Sequence, residues 1–332
     1  MSNKDIESLI ESFSKLRIVV IGDVMLDRFI WGNVTRISPE APVPVVEVSR
    51  ESVYPGGAAN VARNITPFGA KAELIGLIGA DSEGEVLADT LEKNHIGIDH
   101  MLVEKSFSTI TKTRVVAQHQ QVVRIDREKK QALSDSARSL ILNQLRAVIS
   151  EVDGIIIEDY GKGLIDDALV REVVEIATAG DVLVTVDPNP KNCIDWKGVC
   201  TVKPNRSEAF HEAGMQDFGG HLPPLEDVDL LKVGSVLLKR WHSQYVLITL
   251  GEQGMILFCD GGAPYHIPTR AREVFDVSGA GDTAIAVFTM ALCAGANALT
   301  AADLSNRASG VVVGKLGTAE ITKDDLLKAV AE

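Results

Sequence analysis

Cysteine, aromatic residues and positive charge are all scarce in this chain of 332 residues. Its four cysteines are widely spaced, which excludes a dense disulfide framework and offers no zinc-ligand pairs; we expect reduced thiols in a cytoplasmic protein. A net charge of −13 excludes nonspecific partners such as nucleic acid or an anionic membrane surface. Apolar residues still make up 45% of the chain, which suits a soluble globular fold.

Neither a secretory leader nor a membrane span is expected. Residues 1–16 place acidic residues between helically spaced apolar ones, which predicts an amphipathic helix. The run Thr283–Ala302 carries no charge and is long enough to cross a bilayer. Gly295, Asn297 and several threonines dilute its hydrophobicity, so we expect a buried core helix instead.

Short apolar runs alternate with helical patterns along the chain. The strand-like runs lie at 17–23, 72–79, 154–159, 182–188, 200–205 and 245–251, and the helical patterns at 58–68, 83–94, 134–152, 165–179 and 225–241. This alternation predicts an α/β fold with a doubly wound, mostly parallel sheet flanked by helices, in a single domain over 1–332. Ligands of such sheets bind beyond the carboxyl ends of the strands. Polar residues follow several of these runs: Asp23, Asp159, Asp187, Asn205 and Thr249.

Two stretches interrupt this alternation. Residues 41–51 and 109–128 alternate polar and apolar side chains, as half-exposed antiparallel strands do. They predict a small second sheet inserted into the main domain from about 30–55 and 105–128. Such a sheet can act as a lid over a ligand or as a homodimer surface, and we expect a homodimer; an ordinary edge hairpin is the equal alternative.

The stretch "DVSGAGD", residues 276–282, places two glycines before an apolar helix. At a helix N-terminus the N–H groups of Gly279, Ala280 and Gly281 can bind an oxyanion. Asp282 then falls in the first helical turn, where a carboxylate can simply complement the helix dipole. Alternatively it accepts a proton from an attacking hydroxyl while the turn stabilises a transferring phosphoryl group.

A rival interpretation concerns "GAGDTA", which formally fits the dinucleotide fingerprint G-x-G-x-x-[GA]. That fingerprint normally opens the first βαβ unit, whereas this turn lies near residue 280, and an aspartate inside it would face the pyrophosphate. A dinucleotide-dependent oxidoreductase is therefore the weaker hypothesis. A non-catalytic binding protein is disfavoured because Asp282 and both glycines are present.

Two segments carry a specific resemblance. "PGGAANVARNITPFGAKAELIGLIGADSEG" (55–84) and "DVSGAGDTAIAVF" (276–288) resemble the N- and C-terminal signatures of the ribokinase-type (PfkB) carbohydrate kinases. The resemblance covers essentially the whole chain. It implies a ribokinase-like fold, ATP as phosphoryl donor and Mg²⁺ as cofactor, and it leaves a monovalent-cation requirement open.

Three further stretches, "IGDVMLDRFIWGNVTRISPEAPVPV", "EDYGKG" and "KPNRSE", narrow the resemblance to heptose 7-phosphate kinases of lipopolysaccharide-core synthesis. The implied reaction phosphorylates the anomeric hydroxyl of a heptose 7-phosphate. A kinase for fructose 1-phosphate, tagatose 6-phosphate or a nucleoside is the alternative. Many heptose kinases are fused to an adenylyltransferase; this chain ends at Glu332 without an H-x-G-H motif, so we expect the stand-alone kinase form.

The resemblance also implies roles for the nucleotide side of the site. Asp282 would be the general base, and Ser278 to Gly281 would form the anion hole. Glu208 would approach Mg²⁺ through water. The ATP-binding residues would be Asn205, Arg206, Ser207, Glu208, Thr249, Gly251, Gly254, Ser278 and Asn306. Without the resemblance, Asn205 and Glu208 would be interpreted as a helix capping box.

On the sugar side, the resemblance implies contacts from Asp23, Asp27, Gly56, Gly57 and Asn60. Loop solvation is the alternative for the two aspartates, and a plain turn for the two glycines. The candidates for the substrate phosphate are basic residues, each weighed against surface solvation: Arg28, Arg36, Arg124 and Lys162. One position departs from the family pattern, since "DPNPK" displaces Lys191 from its place directly after Asp-Pro.

Overall fold

The structure, a computed structural model, describes residues 3–118, 120–271, 274–315 and 319–331. The α-helices within these ranges are α1 (Asn3–Ser12), α2 (Ala58–Arg63), α3 (Ser82–Lys93), α4 (Asp135–Val148), α5 (Asp167–Ala179), α6 (Arg206–Ala213), α7 (Val228–Trp241), α8 (Ala280–Cys293), α9 (Ala298–Val312) and α10 (Lys323–Ala331). The strands are β1 (Arg17–Gly22), β2 (Val24–Ile37), β3 (Pro44–Gly57), β4 (Lys71–Ile75), β5 (Leu77–Gly79), β6 (Leu102–Glu104), β7 (Thr111–Ala117), β8 (Gln120–Arg127), β9 (Gly154–Glu158), β10 (Leu183–Asp187), β11 (Thr201–Val202), β12 (Tyr245–Thr249), β13 (Met255–Cys259) and β14 (Tyr265–Ile267).

The main sheet confirms the predicted α/β class. Its strand order is β14-β13-β12-β11-β10-β9-β1-β4, and the strands from β4 to β12 run parallel. Only the edge strands β13 and β14 of this sheet are antiparallel. The apolar stretches that follow β12 therefore extend the sheet as a hairpin, which the sequence pattern did not reveal.

Helices cover both faces of this sheet. Ile18 and Val20 of β1 point into a core shared with α1, α2, α8, α9 and α10. Val19 and Ile21 point into a second core shared with α4, α5, α6 and α7. Burial on both faces explains why β1 is a continuous apolar run rather than an alternating one.

Two predicted elements differ from the structure. The run at 72–79 splits at Gly76, because β5 leaves the main sheet and pairs with β6. The single core helix expected over Thr283–Ala302 is wrong, since it forms α8 and α9. Gly295 adopts a positive φ of 87° after α8, and Asn297 caps α9 by accepting from the Thr300 N–H. No helix in the described ranges is both long and apolar enough to traverse a bilayer.

The second sheet has the order β3-β2-β7-β8. Its long hairpin pairs Val24 with Gly57 at one end and Ile37 with Pro44 at the other. Because β1 ends one residue before β2 and α2 follows β3 directly, the hairpin projects from the carboxyl edge of the main sheet. The predicted insert also contains His119, which lies outside the described residues. That this sheet works as a lid stays a prediction.

Candidate active site

A row of charged side chains forms where adjacent strands of the main sheet end. Glu158 and Asp187 close β9 and β10, and they are register partners, so their side chains share a face. Lys203 follows β11 directly, and its N–H donates to the Val186 carbonyl at 2.8 Å. Its Nζ lies 2.7 Å from Oδ2 of Asp187. Only Asp187 in this row was noted from the sequence.

The glycine turn faces this row. Gly279 is the N-cap of α8 and adopts φ 80°, a left-handed conformation that disfavours any side chain. The Ala280 N–H donates weakly to the Val277 carbonyl at 3.3 Å. Within the described ranges, the N–H groups of Gly279 and Gly281 have no protein acceptor. Two unsatisfied amides at a helix N-terminus suit an anion.

Asp282 lies in the first turn of α8 and is only 7% exposed. Its Oδ2 accepts from Nδ2 of Asn60 at 2.5 Å, and its Oδ1 accepts from the Tyr160 hydroxyl at 3.1 Å. Burial raises the pKa of Asp282 to about 6; the charge of Asp187 adds to this, while Asn60 and Lys203 oppose it. The group is mainly ionised at neutral pH, so it can accept a proton from a hydroxyl placed beside it.

A polar seam between α2 and α8 fixes this geometry. The Thr283 hydroxyl donates to Oδ1 of Asn64 at 2.9 Å, and Nδ2 of Asn64 donates to the Asn60 carbonyl at 2.9 Å. All of these groups are buried. Since Oδ1 of Asn60 is also buried and has no hydrogen-bond partner in the described part of the chain, it is available to a ligand hydroxyl.

A cavity of about 910 Å³ borders the glycine turn. It is lined by Ala280 and Gly281 of the turn, by Asp187 and Lys203 of the charged row, and by most of the predicted ATP-binding residues. Those residues are Asn205, Arg206, Ser207, Glu208, Thr249, Gly251, Gly254 and Asn306. Ser278 lies next to this lining, with its N–H donating to Asp276 Oδ1 at 2.9 Å. The structure therefore gathers the predicted nucleotide residues around one space large enough for a nucleotide.

Asn205 and Glu208 form the capping box that was the alternative interpretation. Asn205 Oδ1 accepts from the Glu208 N–H at 3.0 Å, and Glu208 Oε2 accepts from the Asn205 N–H at 2.7 Å. Both residues nevertheless line the cavity, and burial raises the pKa of Glu208. Their roles towards ATP and Mg²⁺ stay predictions. The Arg206 guanidinium pairs with Asp217 and Asp227, and its buried Nη1 has no hydrogen-bond partner among the described residues.

Asp23 has a structural task that the sequence did not reveal. Its Oδ2 accepts from the N–H groups of Tyr160 and Lys162 at 3.2 and 2.9 Å, and its Oδ1 accepts from the Leu164 N–H at 3.2 Å. The buried carboxylate thus holds the loop that carries Tyr160 beside Asp282. Its predicted contact with a sugar stays a prediction.

The other predicted sugar residues meet at the base of the second sheet. Asp27 forms an ion pair with Arg114 of β7. Gly56 lies so close to Asp27 that an added Cβ would stand 2.5 Å from its Oδ2, and Gly57 has φ 62°. Gly57 precedes α2, which carries Asn60 to Asp282. The two glycines therefore permit a close approach of β3, β2 and α2.

The four predicted phosphate contacts occupy different environments. Lys162 pairs with Glu128 at 2.8 Å, and Arg124 forms a bidentate pair with Asp126 at 2.9 Å. Arg36 is 65% exposed near Glu47. Arg28 follows Asp27 on β2, so strand alternation places it on the opposite face of the sheet.

Two basic residues near the site were missed from the sequence. Arg114 pairs with Asp27, and Lys112 lies two residues earlier on the same face of β7. The Lys112 Nζ lies 5.6 Å from the centroid of the Tyr160 ring, and it forms no ion pair with any described carboxylate. Burial, followed by the charge of Lys162, lowers the pKa of Lys112. The sequence signal that could have identified both is the alternation of basic residues with threonines in "TKTR", residues 111–114.

Comparison with known proteins agrees with this geometry. The model of the pfkB family of carbohydrate kinases matches residues 15–325. The chain belongs to this family. As a pfkB kinase it is a sugar kinase, an enzyme that transfers a phosphoryl group to an alcohol group. The oxidoreductase interpretation of "GAGDTA" is thereby wrong.

Curated relatives of this pfkB kinase include the bifunctional protein HldE of Desulfatibacillum aliphaticivorans, 40% identical over 98% of the chain and 65% of the relative. HldE of Geobacter sulfurreducens is 38% identical over 98% of the chain and 65% of the relative. The chain thus spans just under two thirds of the length of these relatives.

Solved structures share the fold. Arabidopsis thaliana ribokinase complexed with ribose and ATP matches with a TM-score of 0.70 and 17% identity, over 95% of this chain and 98% of that one. Escherichia coli phosphofructokinase-2 in complex with potassium matches with a TM-score of 0.73 and 18% identity, over 95% and 98%. At these identities the likeness shows the ribokinase-like fold alone.

Proposed function

We propose that this pfkB kinase phosphorylates the anomeric hydroxyl of D-glycero-β-D-manno-heptose 7-phosphate, yielding the 1,7-bisphosphate and ADP. The observation that carries the catalytic part is the position of Asp282. Its carboxylate touches Asn60 and Tyr160 on one side, while the adjacent Gly281 lines the nucleotide cavity on the other. A proton acceptor at this boundary suits transfer between two bound substrates.

In the proposed mechanism Asp282 takes the proton of the sugar hydroxyl while the hydroxyl oxygen forms a bond to the γ-phosphorus of ATP. The bond from that phosphorus to the bridging oxygen breaks, and ADP leaves with the electron pair. The free N–H groups of Gly279 and Gly281 stabilise the charge on the phosphoryl oxygens. Asn60 holds Asp282 in place and offers its unpartnered Oδ1 to the sugar.

The nucleotide cavity also fits a magnesium ion. Its lining contains the carboxylates of Glu208 and Asp187 and the amide oxygen of Asn205, and oxygen donors are the ligands that Mg²⁺ prefers. We propose that Glu208 holds hydrated Mg²⁺. Bound with ATP, the ion would neutralise phosphate charge. The residues that line the cavity would position the phosphates of ATP against the N-terminus of α8.

Basic residues around the second sheet support a phosphorylated sugar. Lys112 and Arg114 lie on the Asp27 face of this sheet, and Lys112 has no carboxylate partner in the described part of the chain. In a protein of net charge −13, an unpaired cation beside the acceptor site favours an anionic sugar. We propose Lys112 as the main contact of the substrate phosphate. The sequence motifs and the HldE relatives support heptose as the sugar.

A substrate panel tests the proposal. Purified protein and MgATP are incubated with heptose 7-phosphate, fructose 1-phosphate, tagatose 6-phosphate, ribose and a nucleoside, and ADP release is measured. We expect the highest kcat/KM with heptose 7-phosphate, with the new phosphate on C1 by ³¹P NMR. A preference for another sugar by tenfold or more would overturn the heptose assignment and leave the sugar-kinase assignment intact.

We further propose that the second sheet closes over the sugar and pairs with a second copy. Its other face presents Val123 and Ile125, which are 45% and 51% exposed, on alternate positions of β8. Exposed apolar residues in a row favour association. Light scattering is expected to give the mass of a dimer; a monomeric mass at micromolar concentration would contradict this part.

A further inference from the structure

The buried lysine at the nucleotide side of the site has no role in the mechanism so far. Lys203 is 3% exposed, yet its ammonium borders the nucleotide cavity. Buried lysines without a partner are rare because burial disfavours the charge. Asp187 balances that charge here, so the pair is held at the floor of the cavity by two neighbouring strand ends.

The ammonium lies directly beside the glycine turn. A Cβ added to Gly281 would stand 3.4 Å from Nζ of Lys203 and 3.7 Å from Oδ2 of Asp187. Gly281 is one of the two turn residues whose N–H has no protein acceptor among the described residues. The cation and the free amide therefore converge on the same region of the cavity.

The hydrogen-bonding capacity of Lys203 is only partly used. An ammonium has three donors, and the described residues supply one acceptor, Asp187. The other cation among the described lining residues, Arg206, pairs with Asp217 and Asp227 through Nε and Nη2, and its Nη1 keeps free donors. Of these two cations, Lys203 is the one that lies beside Gly281 of the glycine turn, at the end of the cavity where phosphoryl transfer would occur.

We propose that Lys203 is a catalytic residue that donates to a nonbridging oxygen of the phosphoryl group as it passes from ATP to the sugar. Asp187 is its positioning residue. No proton leaves Lys203 in this step: the sugar proton goes to Asp282, the new P–O bond forms, and ADP departs with the electrons of the broken bond. The proposal rests on the sugar-kinase reaction and not on the identity of the sugar.

The surrounding charges favour this role. The groups facing Lys203 are Asp187 of β10, Glu158 of β9, Glu208 of α6 and Asp282 of α8. Burial alone would lower the pKa of Lys203, but Asp187 and then Glu158 raise it above its ordinary value, so the ammonium stays charged. Burial raises the pKa of Glu158 well above its ordinary range, and its Oε2 has no hydrogen-bond partner among the residues that the structure describes.

The test compares Lys203→Met with Lys203→Arg, using the sugar that the substrate panel identifies. We expect Lys203→Met to lower kcat by about 10²–10³-fold, the loss typical of one transition-state donor. The ATP dissociation constant, measured by calorimetry, should change less than fivefold. Lys203→Arg should recover part of the lost kcat. The control is Lys197→Met, which removes a surface lysine paired with Asp195 at 2.9 Å and should retain wild-type activity.

Removing one partner of a buried pair can unfold a protein. If Lys203→Met does not fold, Lys203→Met/Asp187→Asn removes both charges and is assayed in the same way. In either variant, a kcat within threefold of wild type overturns the proposal. So does a loss that appears in ATP affinity while kcat at saturating ATP is unchanged.

The positioning role of Asp187 has a separate readout. Asp187→Asn leaves Lys203 in place but removes the carboxylate that holds its ammonium beside Gly281. We therefore expect kcat to fall in Asp187→Asn while the KM for ATP changes less than fivefold, and we expect Asp187→Glu, which restores the carboxylate, to recover part of the loss. A kcat within threefold of wild type in a folded Asp187→Asn variant would remove Asp187 from this role.

Discussion

Replacing the proposed general base should strongly reduce turnover and yet make the protein more stable. In Asp282→Asn the side chain keeps its size but cannot accept a proton, so we expect kcat to fall by about 10²–10⁴-fold. The amide also suits the pocket. Its oxygen can accept from Tyr160, and its nitrogen can donate to Oδ1 of Asn60 after that amide rotates, since this oxygen has no partner in the wild type.

The stability gain follows from the pKa of Asp282, which rises from 3.8 to about 6 on folding. A change of one in pKa corresponds to about 1.4 kcal/mol. At pH 7 the buried carboxylate is ionised in both states, and the folded state is less stable by about 3 kcal/mol than with an unshifted group. Allowing for imperfect packing of the amide, we expect the variant to be more stable by about 1–3 kcal/mol, a few degrees in Tm.

The sign of the pH dependence is fixed by the same shift. Between pH 3.8 and about 6 the unfolded chain is ionised at Asp282 while the folded chain still holds the proton. The folded state binds more protons in this window, so its stability falls as pH rises through it. The Tm difference between variant and wild type should therefore be small at pH 4 and reach its full size by pH 7.

Thermal melts at pH 4, 5, 6 and 7, with steady-state kinetics at pH 7.5, measure both effects. In the wild type, kcat/KM measured at a series of pH values should also fall on the acid side with a midpoint near pH 6. Two results would refute the reasoning. One is near-normal kcat in Asp282→Asn, and the other is a variant that melts below the wild type at pH 7 while its Tm difference is independent of pH.

Three other predictions follow from individual contacts. Asp23→Ala leaves three backbone N–H groups without their acceptor, so urea unfolding should show a loss of about 2–4 kcal/mol. Glu208→Gln keeps the capping box but loses its charge, so the Mg²⁺ concentration for half-maximal rate should rise while Tm stays within about 2 °C. Lys112→Met should raise KM for the sugar phosphate by about 10–100-fold and leave KM for ATP unchanged; Lys105→Met, at an exposed position, is the control.

Sequence patterns predicted the α/β class because β1 and β9 are buried on both faces and are therefore continuous apolar runs in the sequence. The patterns predicted the elements less well where a single glycine changes the direction of the chain. Gly76 separates β4, which lies in the main sheet, from β5, which pairs with β6. Gly295 separates α8 from α9 inside an uncharged run. Apolar content alone cannot show such breaks, because apolar residues continue on both sides of each glycine.

The sequence likewise predicts one part of the candidate site and not the other. The glycine turn with Asp282 could be predicted because its parts are adjacent in the chain and their chemistry depends on that adjacency. Tyr160 and Asn60 could not be assigned to Asp282 as partners, since 122 and 222 residues separate them from it. Those contacts depend on the packing of α2 on α8 and on the loop that Asp23 holds.

Register explains why Lys203 escaped notice in the sequence. Within "KPNRSE" it is one basic residue before a capping box, and nothing in the stretch distinguishes it from a solvated lysine. The side-by-side alignment of β9, β10 and β11 places it two strands from Glu158, with Asp187 between them and Gly281 opposite. Three charged residues that span 45 positions of the sequence thus become one row, from Glu158 to Lys203. That row, rather than any single motif, keeps a cation at the phosphoryl end of the cavity, next to the glycine turn that leads into the proton acceptor Asp282.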